Sequence, residues 1–204
     1  MAKVYDDNWG ASVNRDKCAN VVLYFLEKCP DSGSTKLLKL LYLADSEHYR
    51  QHLRSITEAT YVALERGPVL DKYKEHFESL ENDGVLGRTL VPVHGDQTPM
   101  DRYTPRQHPN VEALEDSERA VLAQVYKRYG SRTGKELTAL LHRDGPWSWV
   151  WDPEHPQGQE IPAALIRWAE NFPTEADLAT AGEELARDDV RAALQAIESG
   201  ALAT

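Results

Sequence analysis

Between Thr35 and Val69 the chain reads TKLLKLLYLADSEHYRQHLRSITEATYVALERGPV, and the first half of that stretch is a helix too apolar for any surface. Leu37, Leu38, Leu40, Leu41, Leu43 and Ala44 cover most of its circumference, interrupted only by Lys36 and Lys39. A helix that is apolar on nearly every side belongs in the middle of a domain. From Tyr49 to Arg54 the residues turn polar, so the helix is expected to emerge into solvent there. Tyr61-Val62-Ala63-Leu64 then reads as a short strand, which Gly67-Pro68 is expected to stop with a fixed turn. A buried helix tied to a rigid corner is a scaffold, and no catalytic motif lies inside it.

Other helices flank this one. Asn14 can cap a helix over residues 14–28, in which Cys18, Val21, Val22, Phe25 and Leu26 recur at three and four. Residues 29–34 form a loop, with Ser34 or Thr35 capping the buried helix. A third helix is expected over 70–83, with Leu70, Tyr73, Phe77 and Leu80 on one stripe and Gly84 at its end. The period then changes: residues 88–93 and 100–104 flank a turn-rich loop and read as a β-hairpin, with Pro92 on an edge. Helices resume over 116–129 and over 133–142, where Thr133 and Glu136 make a capping box. Residues 143–161 are irregular and rich in Trp and Pro. A helix over 162–171 follows, then one or two acidic helices over 174–197. The fold expected is mainly α, a compact helical domain with a small β-hairpin and an acidic C-terminal helical extension.

The totals exclude several classes. A chain of 204 residues can bury a proper core, and 41% hydrophobic residues with a mean hydropathy of -0.56 suit a soluble globular protein. No apolar run follows the N-terminal charges, and no segment approaches a membrane span, so a cytoplasmic location is expected. Cys18 and Cys29 are expected as free, buried or half-buried thiols rather than a disulfide or metal pair. The net charge is -10, of which -6 falls between Glu170 and Thr204. No basic face for nucleic acid is visible. Helix followed by hairpin does suggest a winged-helix DNA reader, with 70–83 as reading helix and 88–104 as wing. Asp71, Glu75, Glu78, Glu81 and Asp83 would repel phosphates from that helix.

Candidate chemistry is sparse. His48 and His52 lie four apart, so both rings can share a helix face beside Asp45 and Glu47. A metal site needs further ligands, and nothing in the sequence brings His76 or His142 near; no metal and no cofactor is expected. Asp45 could be a general base, but no partner nucleophile or second carboxylate accompanies it. The stronger reading is structural: it accepts hydrogen bonds from the backbone around Gly67, or pairs with Arg66 or Lys36. No phosphate-binding glycine pattern appears. Trp147, Trp149 and Trp151 alternate at period two, and so point to one side of an extended chain. Trp147 is assigned to sealing the core. Trp149 and Trp151 are candidates for partner contact, since tryptophan is enriched at binding hot spots. Glu65 and Arg66, on the corner beside Gly67-Pro68, and Tyr49 are further contact candidates.

The ordered set KLLYLAD at 39–45, Gly67-Pro68-Val69 with Leu-Asp-Lys-Tyr behind it, the helix end Arg128-Tyr129-Gly130, and Leu141-His142 before Pro146-Trp147 resembles the SocA-like antitoxin family, also called the Panacea domain. The resemblance covers roughly residues 14 to 150, giving a domain over 1–152 and a C-terminal helical extension over 153–204. Lys36, Tyr42, Asp45, Gly67, Pro68 and Trp147 then stand as its structural motif. It implies a non-enzymatic antitoxin of a type II toxin–antitoxin pair, as found on prophages and mobile elements, whose partner is a cognate toxin bound by direct protein contact. A role as adaptor delivering a toxin to a protease, with protease or chaperone contact, is the alternative the resemblance leaves open. The acidic extension and the Trp segment are expected to help occupy a basic toxin face.

Overall fold

The helix Ser34–His52 (α2) is the axis of the domain. Leu37, Leu40, Leu41 and Ala44 are fully inaccessible and Leu38 and Tyr42 nearly so, each buried leucine contributing about 1.5–3 kcal/mol. Around it pack Arg15–Lys28 (α1), Asp116–Tyr129 (α4) and Gly134–Leu141 (α5). The computed structural model describes residues 13–92, 99–143, 145–156 and 158–168, and the acidic helices expected over 174–197 lie outside them. Among the described residues no helix is long and apolar enough to cross a membrane.

Local signals place the helix ends. Asn14 Oδ1 accepts the Lys17 amide at 3.2 Å to open α1. Thr133 and Glu136 form the expected reciprocal cap of α5, and Glu115 and Glu118 make a second one on α4. The buried Glu118 also receives Lys17 Nζ at 2.6 Å, tying α4 to α1. Helix α2 surfaces near its end as expected: Arg50 to Arg54 are exposed, and it terminates on Leu53 in a left-handed conformation. Cys18 and Cys29 are free and buried.

Two small antiparallel sheets complete the unit. The first has the order β2-β1-β5, with Tyr61–Leu64 (β1) between Gly67–Leu70 (β2) and Gln159–Glu160 (β5). The second is the expected hairpin, Leu86–Val91 (β3) paired over six residues with Met100–Pro105 (β4). Only its base enters the core: Leu86 and Tyr103 are buried, and the Tyr103 ring meets Phe77 edge-on at 4.8 Å.

Three expectations need correction. Gly67-Pro68 does not stop a strand; it begins one. The turn is Glu65-Arg66, and all four residues of β2 are buried. Pro68 fits there because β2 is an edge strand. One residue's N–H and C=O point to the same side, and the Pro68 carbonyl points away from β1 to Lys39, so no ladder bond is lost. In consequence the third helix, Tyr73–Asn82 (α3), starts later than 70, with Leu70 in the sheet; Gly84 follows it at φ +72° as expected. Helix α3 turns His76, Phe77 and Leu80 inward and leaves Lys74, Glu75 and Glu78 exposed. The Trp segment is not extended either: Pro146–Val150 is a short helix (α6) with Pro at its first position. Trp147 and Trp151, four apart, therefore stack at 5.8 Å, and Trp149 turns to another side. Among the described residues beyond 152, β5 pairs with β1, Ile161 is buried, and Ala163–Trp168 (α7) follows.

The partners foreseen for Asp45 are also replaced. Its Oδ1 accepts the amides of Ile56 and Thr57 at 2.8 and 2.9 Å, and its Oδ2 accepts Tyr61 Oη at 2.6 Å and the Thr57 hydroxyl. The loop after α2 thus curls back onto the helix that precedes it, and Asn14 N reaches the Thr57 carbonyl at 2.8 Å. Burial pushes the Asp45 carboxyl above its ordinary range, against the pull of these four hydrogen bonds. Asp45→Ala strands two buried amides and two buried hydroxyls and is expected to cost about 3 kcal/mol or more. Asp45→Asn keeps the amide acceptor, and its Nδ2 can donate to a hydroxyl oxygen, so about 1 kcal/mol is expected. Urea unfolding of the two variants checks the order, and equal losses would exclude this role for the carboxylate.

Candidate functional site

Where α2 passes β2, a lysine is buried in the apolar run. Lys39 is 1% exposed, and its Nζ donates to the Pro68 carbonyl at 2.9 Å. Burial lowers its pKa to about 7. The lysine fits only because position 67 is glycine. A Cβ there would stand 2.8 Å from Lys39 Nζ and 3.4 Å from His142 Nε2, and the backbone holds φ +102°. His142, just past the end of α5, lies parallel to the Trp147 ring with centroids 3.8 Å apart. Burial, and after it the Lys39 charge, lower the His142 pKa, and a hydrogen bond to the Arg66 backbone opposes them. Trp147 is buried as expected, and its indole Nε1 donates to the Leu64 carbonyl at 2.8 Å. Both ends of the Glu65-Arg66 turn are therefore clamped, Leu64 by Trp147 and Pro68 by Lys39.

This clamped turn forms part of the wall of an open cleft of about 1080 Å³. The N-terminal half of α2 contributes Lys36 and Lys39, the turn contributes Glu65 and Arg66, α3 contributes Tyr73 and Lys74, and the start of α5 contributes Thr133 to Lys135. Lys36 is held in place just past the end of α4: its Nζ donates to the carbonyl of the C-cap residue Gly130 at 2.6 Å, a cation at a helix C-terminus. It does not pair with Asp45.

The structure separates the residues singled out in the sequence. Lys36, Glu65 and Arg66 meet in the cleft. Tyr49 lines a smaller cavity of about 310 Å³ on the other side of β1, beside Asp45, Tyr61 and Ile161. Trp149 and Trp151 are half-buried and line neither. Tyr42 packs edge-on against Tyr61 at 5.1 Å inside the core. The His48 and His52 rings do come within 4.5 Å. His48 is committed elsewhere, however: Nδ1 faces the Arg54 carbonyl at 2.6 Å and Nε2 the Ser117 hydroxyl at 3.2 Å. Sequence reasoning missed Lys39 and His142. Lys39 could have been found, because a lysine in a helix with no polar face must be buried with a partner.

A profile of the family Antitoxin SocA-like, Panacea domain, matches residues 37–148, more than half of the chain. The chain belongs to this family. The matched stretch runs from the buried part of α2 into α6, somewhat shorter than the span suggested by sequence motifs. It contains the residues of the clamp described above, Lys39, Leu64, Gly67, Pro68, His142 and Trp147, and Asp45 as well. No curated protein and no solved structure matches the chain.

Two variants probe the clamp. Gly67→Ala strains the backbone and displaces the lysine, at an expected cost of about 1–3 kcal/mol in urea unfolding. Lys39 gives a pH signature. The folded state releases its proton near pH 7, whereas the unfolded chain holds it to the ordinary lysine value of 10.5. Between those limits the unfolded state binds more protons, so stability rises with pH. Wild type is expected to gain stability relative to Lys39→Met as the pH rises from about 7 towards 10.5; parallel curves would rule out a buried, proton-releasing lysine.

Proposed function

We propose that this protein is the antitoxin of a type II toxin–antitoxin pair, neutralising its toxin by direct contact and catalysing no reaction itself. The observation that carries the reading is the family match over residues 37–148, a stretch that takes in most of the buried helix and the clamped turn. The polar residues best suited to catalysis are spent on the fold. Asp45 fills its lone pairs with Ile56, Thr57 and Tyr61, and His48 engages both ring nitrogens. What the domain offers outward is an open concavity bounded by a clamped, charged turn, a form suited to seating part of another protein.

Neutralisation by occupancy and neutralisation by delivery to a protease differ in the fate of the toxin. Co-expression with the product of the adjacent reading frame is expected to restore growth, with that product intact and co-purifying with this chain. Rescue accompanied by disappearance of the toxin would favour the adaptor role. Continued growth arrest despite expression of this chain would overturn the antitoxin reading.

A further inference from the structure

The charge of the cleft opposes that of the protein. The whole chain has 23 basic and 33 acidic residues, yet the cleft is lined by six bases, Lys36, Lys39, Arg66, Lys74, Arg132 and Lys135, against three acids, Asp31, Glu65 and Asp101. The excess continues past its rim. A neighbouring concavity of about 370 Å³ shares Asp31, Lys36 and Ser131 with the cleft and adds Lys28 and Lys127. Lys36 and Lys39 donate to carbonyls at the cleft wall, while Lys74, Arg132 and Lys135 are exposed.

We infer that this cleft docks an acidic, partly apolar segment of a partner protein. The inference rests on the antitoxin reading and names the feature of the toxin that is recognised. Three observations select a peptide over other anions. The volume, about 1080 Å³, lies at the upper end of ligand-pocket sizes, and the cleft is open. The cations are interleaved with apolar surface from Leu64, Tyr73 and Met100, which suits acidic side chains alternating with hydrophobic anchors. Asp31, Glu65 and Asp101 interrupt the basic surface, and the exposed Glu75 and Glu78 of α3 stand close by in sequence to Lys74, a poor match for the unbroken charge of a nucleic-acid backbone. Opposite charge in a concave site accelerates encounter and excludes wrong partners, while apolar burial slows release.

The test is fluorescence anisotropy with a labelled peptide of about a dozen residues alternating Glu with Leu and Ser, beside a single-stranded oligonucleotide of equal charge. Wild type is expected to bind the peptide, and Arg132→Glu/Lys135→Glu to weaken it about tenfold or more. Lys74→Glu, in the cleft lining from α3, is expected to weaken it several-fold, and serves if the double variant does not fold, as judged by its thermal melt. Arg50→Glu/Arg106→Glu, outside the cleft, should leave affinity unchanged. No binding by wild type, equal losses in both double variants, or tighter cleft-dependent binding of the oligonucleotide would each overturn the proposal. The co-expression assay keeps the two readings apart. Rescue that is equal for wild type and Arg132→Glu/Lys135→Glu retains the antitoxin and rejects the cleft. Without rescue by wild type the antitoxin reading falls, and the peptide measurement still decides the cleft.

Discussion

A carboxylate in the middle of a buried helix has to be solvated by the protein itself, and much of this domain is arranged around that requirement. Asp45 receives two backbone amides and two hydroxyls from residues 56 to 61. The segment that supplies them runs directly into β1, so the carboxylate sets where the sheet starts relative to α2. The same segment holds the start of α1 through the Thr57 carbonyl. One side chain thus joins a helix, a loop and a strand that hydrophobic contact alone would leave free to slide, because apolar burial is non-directional.

Lys39 does the complementary work at the far edge of that sheet. An edge strand carries unpaired carbonyls, and in β2 the Pro68 carbonyl is taken by an amine arriving from α2. The ammonium pays a desolvation cost for this, visible in its lowered pKa. An anion and a cation, six residues apart on one helix, fix the two ends of a single β-hairpin.

Much of this was legible in the sequence, and the failures have physical causes. Asn14, the Thr133–Glu136 box and the leucine run located α1, α5 and α2 because those signals act within one or two turns. The stretch 67–70 was misread since a Gly-Pro pair usually marks a corner; nothing local reveals that the proline's missing donor would face outward from an edge strand. Trp147, Trp149 and Trp151 misled by their spacing, which fits a strand as well as it fits unequal roles on a short helix. Asp45 was assigned the right task with the wrong partners, because its acceptor geometry is met by a loop whose path only tertiary packing defines. Cleft residues such as Lys74, Arg132 and Lys135 come from separate elements, and their convergence has no one-dimensional signature.

The two-residue turn at Glu65-Arg66 has an implication for how such a domain can diversify. Its flanks are gripped by two side chains, an indole on the Leu64 carbonyl and an amine on the Pro68 carbonyl. Inserted residues would have to break one grip or shift the strand register, which would exchange buried and outward faces. Replacing the two side chains at the tip disturbs neither. Novelty at this position is therefore confined to chemistry, with loop length held constant.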